Sequence, residues 1–392
     1  MQPDDPNTQT SDATDWFGQI LKAAFAQKAS DIHIEPGQNN VTIRFRVDGS
    51  LITYQTLPIA SLNMLVSRIK VLSELDITNH QAPQDGHTQF SFENRMYSLR
   101  VSTIPSQYGE TTVLRILNRE MMMGNIKTMG FDQLQLTILE QILKSPNGLL
   151  ITTGPTGSGK STLMYALLNE LNKSDRSIIT VEDPVEYTMQ QITQSQINER
   201  TGLGYSVLLK SILRQDPDIL MIGEIRDKET LQTTMQAALS GVFVLSTFHS
   251  FDIPALVVRL IEMGITRSVI AQSIRCVIST RLLRKICSNC ITAHTPTELE
   301  QRYIGPNLGN ITFKKGAGCE ACGKTGYKGR IGIFEIVPFN FDLKSVIIEN
   351  RPISSYYESM AKSNVRTLRQ TGIQRAVEGT TTIDEVITKV GF

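Results

Sequence analysis

No stretch of this sequence approaches the roughly 18–20 consecutive apolar residues that would cross a bilayer, so no segment reads as a membrane span. The N-terminus, MQPDDPNTQTSDATD, has neither the basic start nor the apolar centre of a secretory signal, and the cytoplasm is the expected compartment. Charge of one sign is also missing: 39 Lys and Arg against 38 Asp and Glu leave a net +1. A nucleic-acid binder usually carries a basic excess, so no nucleic acid is expected as a partner. Histidine is scarce, with only His33, His80, His87, His249 and His294. There is no internal repeat. What remains is ordinary for a soluble globular chain, 40% apolar and 20% charged, and 392 residues suffice for two or three domains.

Residues 1–12, rich in Pro, Asp, Asn, Gln, Ser and Thr, read as a disordered tail. Trp16, Phe17, Ile20, Leu21, Ala24 and Phe25 then recur at helical spacing. The run VTIRFRVDGS alternates, with Val41, Ile43, Phe45 and Val47 on one face and Asp48-Gly49 as the turn. Further alternating runs and a helix marked by Leu62, Leu65, Val66, Ile69 and Leu72 predict a small α+β domain over 13–118, built on one antiparallel sheet. Residues 119–130 read as a linker. Beyond them short buried strands at GLLITTG, Ser177–Val181, Ile219–Ile222 and Val242–Ser246 alternate with helical patterns, which predicts a parallel sheet covered on both faces over 131–286. A cysteine module over 287–322 and a helical C-terminal region over 323–392 complete the division.

GPTGSGKS, Gly154 to Ser161, fits G-x-x-x-x-G-K-[ST] with a buried strand before it and a helix after it. Gly154, Gly157 and Gly159 let successive N–H groups turn inward at phosphate oxygens, and the next helix adds its positive end. Pro155, Thr156, Ser158 and Thr162 complete the loop and its exit. Lys160 is placed to reach the β- and γ-phosphates and the Ser161 hydroxyl to ligate Mg²⁺, so ATP and Mg²⁺ are the expected cofactors. TVEDPVEY puts Glu182, Asp183 and Glu186 after one buried strand, and DPDILMIGEIRD puts Glu224 after another. Strand ends on such sheets are where ligands sit. Solvated loop carboxylates are the alternative for either cluster alone.

Five cysteines are present, and four form CxxC pairs, Cys287/Cys290 and Cys319/Cys322, with 28 residues between Cys290 and Cys319. Two tight turns supplying two thiolates each close a tetrahedral site, so Zn²⁺ held structurally by all four is expected, with a redox dithiol as the runner-up. Cys276 reads as a small buried residue.

GPTGSGKST, TVEDPVEY, LRQDPDILMIGEIRDKET and LSTFHS, in that order, resemble the secretion ATPase superfamily. ASDIHIEP, RFRVDG and PQDGH resemble its assembly branch, which serves type II secretion and type IV pili. The resemblance implies a RecA-like P-loop ATPase core preceded by a PAS-like α+β domain. It implies a homohexameric motor that hydrolyses ATP and drives a polytopic inner-membrane platform protein, to which it attaches peripherally. By the same resemblance Glu224 is the acid that polarises water, Glu182 lies in an acidic box, and His249 is the second histidine of a histidine box. The first histidine of that box falls at Val242 here, a departure. Arg100 and Arg115 match a pair that reaches nucleotide across a domain interface, with two solvated strand arginines as the alternative. The four cysteines match a zinc module facing the platform. A RecA-like nucleic-acid translocase and a nucleotide-gated scaffold with little turnover are the competing readings.

Overall fold

A computed structural model describes residues 7–117, 124–305 and 311–391. The chain divides into two compact units, Met1–Glu120 and Met121–Phe392.

In the first unit, strands β1 (Asp31–Pro36), β2 (Asn40–Val47), β3 (Ser50–Pro58), β4 (Gln84–Phe92), β5 (Arg95–Ser106) and β6 (Gly109–Leu117) form one antiparallel sheet in the order β3-β2-β1-β6-β5-β4. The alternation in β2 buries Val41, Ile43 and Phe45 and leaves Arg44 and Arg46 half-buried on the other face. The helices Asn7–Ala26 and Leu62–Leu72 cover the apolar face with Phe17, Ile20, Leu21, Leu65 and Ile69. Lys70 is completely buried, which is tolerable only when the charge is paired. Its Nζ lies 2.6 Å from Glu110 and donates to Asn79 O at 2.8 Å. The first helix begins at Asn7, so residues 7–12 are helical rather than part of a disordered tail, and residues 1–6 lie outside the described residues. Once the apolar half of a helix is fixed by packing, adding polar residues to its end costs little, because nucleation is the expensive step.

The second unit holds seven strands in the order β15-β12-β7-β11-β10-β8-β9. They are β7 (Gly148–Thr153), β8 (Ile178–Glu182), β9 (Thr193–Gln196), β10 (Ile219–Ile222), β11 (Phe243–Phe248), β12 (Ile274–Ile286) and, after the hairpin β13 (Ile291–His294) and β14 (Phe313–Gly316), β15 (Tyr327–Pro338). All neighbours are parallel except β12 and β15. Every residue of β7, β8, β10 and β11 is buried, as a sheet covered on both faces requires. Leu149, Ile151, Val181, Leu220 and Val244 pack into one core, and Leu150, Ile178, Met221 and Leu245 into the other.

Two expectations need correction. The C-terminal region read as helical from 323 opens with the twelve-residue strand β15. Gly329 and Gly332 obscure its alternation, yet Phe334 and Ile336 fall on one face and Ile333 and Val337 on the other. Of the linker, 119–123 lie outside the described residues, but 124–130 are packed on the second unit. Ile126 is buried, Gly332 N donates to Met129 O at 3.0 Å, and Arg375 Nη2 donates to Gly130 O at 2.6 Å. Between the two cysteine pairs, Tyr303 and Phe313 share a core with Leu368, Ala376 and Val386 of the C-terminal helices.

Candidate functional site

The loop from Gly154 to Gly159 joins β7 to the helix Lys160–Leu171. Gly154 has φ +151°, and a Cβ there would lie 2.6 Å from Ser158 Oγ and 2.7 Å from Thr280 O. The position therefore demands glycine on both counts. Lys160 Nζ donates to Gly154 O at 2.7 Å and Pro155 O at 3.1 Å, curling over its own loop. Burial lowers the Lys160 pKa from its ordinary value, Glu224 opposes that shift, and Arg281 reinforces it. Ser158 is buried, while Pro155, Thr156, Gly157 and Ser161 are exposed and Thr162 is half-buried.

The strand ends beside this loop carry the acidic groups. Glu224 follows β10 and is ion-paired with Arg226, whose Nη1 also lies 3.7 Å from Asp183 Oδ2. His249 Nε2 stands 3.8 Å from Glu224 Oε2, and its side chain is 58% exposed, open to a ligand. The loop bearing His249 is tied down on both sides. Thr247 Oγ1 donates to Gly223 O at 2.7 Å, and Thr153 Oγ1 donates to Ser250 O at 2.6 Å. The Thr247 hydroxyl fastens β11 to the end of β10. Val242 sits at the other end of β11, where its carbonyl accepts from Gly148 N at 3.2 Å. A six-residue strand separates it from His249 by roughly 20 Å.

Glu182 differs from Glu224. It is buried at 3% exposure with both oxygens engaged: Thr180 Oγ1 donates at 2.5 Å, Gln194 Nε2 at 3.1 Å, and the Tyr165 hydroxyl to the other oxygen. Tyr165 lies on the phosphate-loop helix and also accepts from Glu186 N at 3.1 Å. Glu182 thereby links the loop helix to the acidic turn; it is not open to a ligand.

Three nearby residues escaped the sequence reading. Tyr165 hides inside a helical pattern. Tyr205 brings a buried hydroxyl to within 3.1 Å of where a Gly223 Cβ would stand, and burial followed by Glu224 and Asp183 raises its pKa. Arg281 lies on β12 beside the phosphate loop: Thr280 Oγ1 donates to Ser158 O at 3.1 Å, and Arg281 Nη1 donates to Thr280 O at 2.9 Å. The register of β12 against β7 was the missing signal, and no local motif encodes it.

In the first unit, Arg100 of β5 stands directly opposite Arg115 of β6. Like charges so placed repel. Arg115 Nε donates to Asp31 at 3.0 Å, Arg46 lies 3.6 Å from the same carboxylate, and Arg44 pairs with Glu35 at 2.5 Å.

The four paired cysteines converge. Their sulfurs all lie within 4.8 Å of one another, with Cys287–Cys319 at 3.9 Å, Cys290–Cys322 at 4.0 Å and Cys319–Cys322 at 3.7 Å. Sulfurs about a tetrahedral zinc, at about 2.3 Å from it, stand roughly 3.8 Å apart, so the residues fit that ion. Backbone N–H groups already point at the sulfurs, Gly318 at Cys290 and both Cys319 and Gly326 at Cys322. Such donors stabilise thiolate over thiol. Burial pushes Cys322 up, but these N–H groups and the Cys319 and Cys290 sulfurs together bring the thiol down to about 6, whereas burial and the neighbouring sulfurs push Cys290 up to about 11 against the Gly318 N–H. Cys276, expected to be a buried residue, is fully buried.

The family described as Type II/IV secretion system protein matches residues 9–388. The chain is 38% identical over 382 residues to the type IV pilus assembly ATPase PilB of Thermus thermophilus, covering 97% of this chain and 43% of that protein. It is 41% identical over 372 residues to the type II secretion system protein E of Pectobacterium carotovorum, covering 94% and 74%. The chain thus spans less than half of the first relative and about three quarters of the second. Among solved structures it is similar to the Legionella pneumophila ATPase DotB, with TM-score 0.71 at 20% identity over 95% of this chain and 94% of that one. It is also similar to the pilus retraction motor PilT with bound ADP, with TM-score 0.63 at 24% identity over 94% and 95%. These two likenesses concern the fold.

Proposed function

The chain belongs to the type II/IV secretion system protein family, and on that premise we propose that it is an ATPase that powers assembly of a type IV pilus or a type II secretion pseudopilus. One observation carries the reading. A glycine-shaped phosphate loop with Lys160 lies at the C-terminal edge of a parallel sheet, and Glu224 and His249 stand together at the neighbouring strand ends.

In this reading the loop N–H groups and Lys160 hold the β- and γ-phosphates, and Ser161 ligates Mg²⁺. Glu224 orients the attacking water and His249 contacts the γ-phosphate. Arg281 supplies positive charge from the same unit. Arg100 and Arg115, side by side on β5 and β6, supply more. Glu182 acts at one remove, by fixing Tyr165. Zinc on Cys287, Cys290, Cys319 and Cys322 would lock the hairpin against the C-terminal helices. The working form is a homohexamer at the inner membrane, attached through a platform protein. Among the described residues no helix is long and apolar enough to cross a membrane, in keeping with attachment through a partner.

Multiple-turnover phosphate release from MgATP tests the reading, with Lys160→Ala and Glu224→Gln as controls. Turnover lost in both, with nucleotide binding kept only in Glu224→Gln, is the expected result. Binding without turnover in the unaltered protein points to a scaffold, and stimulation by DNA or RNA points to a translocase. Sedimentation with nucleotide tests the hexamer.

A further inference from the structure

We propose that Glu335 is a positioning residue: its buried carboxylate competes for the Arg281 guanidinium and gives it up when nucleotide phosphates occupy the loop. The inference rests on the nucleotide reading of that loop.

Glu335 lies on β15 at 9% exposure. An ionised carboxylate at such depth needs partners. One is the backbone N–H of Leu368, which donates to Oε2 at 3.2 Å from the first residue of the helix Leu368–Val377. The N-terminal end of a helix favours negative charge. An opposite charge that attracts it comes from the strand register. Ser279 is paired with Glu335 and Arg281 with Ile333, so Arg281 and Glu335 are diagonal neighbours on one face of β12 and β15. Across such a diagonal the two charges attract each other without a direct hydrogen bond or an ion pair within 4 Å.

Charge reinforces the geometry. Burial lowers the Arg281 pKa and Glu335 opposes that shift. Burial raises the Glu335 pKa, the Leu368 N–H opposes it, Asp252 adds to it and Arg281 again opposes. Asp252 caps the helix Ile253–Glu262, just beyond His249, and accepts from the Tyr357 hydroxyl at 3.0 Å. When phosphates draw Arg281 away, Glu335 is left facing Asp252 with only the Leu368 N–H for support. That loss opposes nucleotide binding. It also ties occupancy of the phosphate loop to the start of a C-terminal helix and to the loop that carries His249.

The test is a double-mutant cycle on the full chain. It uses Glu335→Gln, which keeps shape and the acceptor for Leu368, Arg281→Gln, and both together. The readouts are affinity for a fluorescent triphosphate with Mg²⁺ and thermal midpoint. Glu335→Gln is expected to bind about tenfold more tightly, and to have no effect in the Arg281→Gln background, a coupling of ordinary size for neighbouring charges. Unchanged affinity overturns the proposal. So does tightening that persists without Arg281, because a general field effect then explains it. So does a fall in thermal midpoint with no gain in affinity. If the unaltered protein binds no triphosphate, the nucleotide reading itself falls, an outcome distinct from all of these.

Discussion

Arg226 is ion-paired with Glu224, and the second oxygen of the same carboxylate faces His249 Nε2 at 3.8 Å. The carboxylate thus stands between a paired guanidinium and a nearby imidazole at the end of β10, within electrostatic reach of Lys160. A general base must be fixed before it can direct a water, and a glutamine of the same shape keeps the position but cannot accept the proton. Glu224→Gln should therefore lower turnover by about 10²–10⁴-fold while leaving MgATP affinity nearly unchanged. Phosphate release and equilibrium nucleotide binding check this together. Turnover within a few-fold of the unaltered protein would remove Glu224 from the chemistry.

Val242 is the position where the sequence departs from the resembled histidine box, and it lies a full strand away from His249. Its side chain is half-buried against the core on one face of the sheet. A histidine there does not reach the phosphate loop of its own chain. Val242→His should change turnover by less than about twofold and stability by less than about 1 kcal/mol. A large change in turnover at unchanged stability would show that a neighbouring copy reads this position.

Tyr165 and Glu182 form a buried link between the phosphate-loop helix and β8. Tyr165→Phe removes the hydroxyl donor to Glu182 and the acceptor for Glu186 N, leaving a buried carboxylate oxygen and an N–H without their partner. The expected loss of stability is about 1–3 kcal/mol in urea denaturation. If Glu182 acts only through this link, Tyr165→Phe and Glu182→Gln should damage turnover to similar extents. A much larger effect of Glu182→Gln would give the carboxylate its own part in the chemistry.

The cysteine cluster makes a stoichiometric prediction. Elemental analysis should find one zinc per chain, and Cys290→Ser with Cys322→Ser should abolish it. Because Tyr303 and Phe313 pack with the C-terminal helices, losing the metal should loosen more than the hairpin. Amide exchange should rise in the helices Leu368–Val377 and Ile383–Val390 as well as in β13 and β14. Exchange confined to the hairpin would make the site a local clip.

Local chemistry made much of this legible in the sequence. Buried strands, the glycine pattern of the phosphate loop and the cysteine spacing are each encoded within a few residues, and the structure brings Glu224 and His249 together as their strand-end positions predict. What stayed hidden is non-local. Arg281 and Glu335 look like ordinary strand residues until the register of β12 and β15 is known. Glu182 looks exposed in a Pro-containing acidic run, yet Tyr165 and Gln194 close over it. Strand β15 is hidden because its glycines break the alternation, although Gly332 serves close backbone approach: a Cβ there would lie 2.8 Å from Met129 O.

Tyr205 offers a last test, in which stability moves against the usual direction. Its hydroxyl is buried without a hydrogen-bond partner, beside Gly223 and near Glu224 and Asp183. A buried polar group without a partner loses its hydration and gains nothing in return. Most changes in a core destabilise, but Tyr205→Phe deletes the unsatisfied atom and keeps the ring that packs against the core. Stability should be unchanged or higher by up to about 1 kcal/mol, measured by urea denaturation without nucleotide. A loss greater than about 1 kcal/mol would mean that the hydroxyl holds a partner in solution, and the two carboxylates facing it are the groups to which that partner would connect.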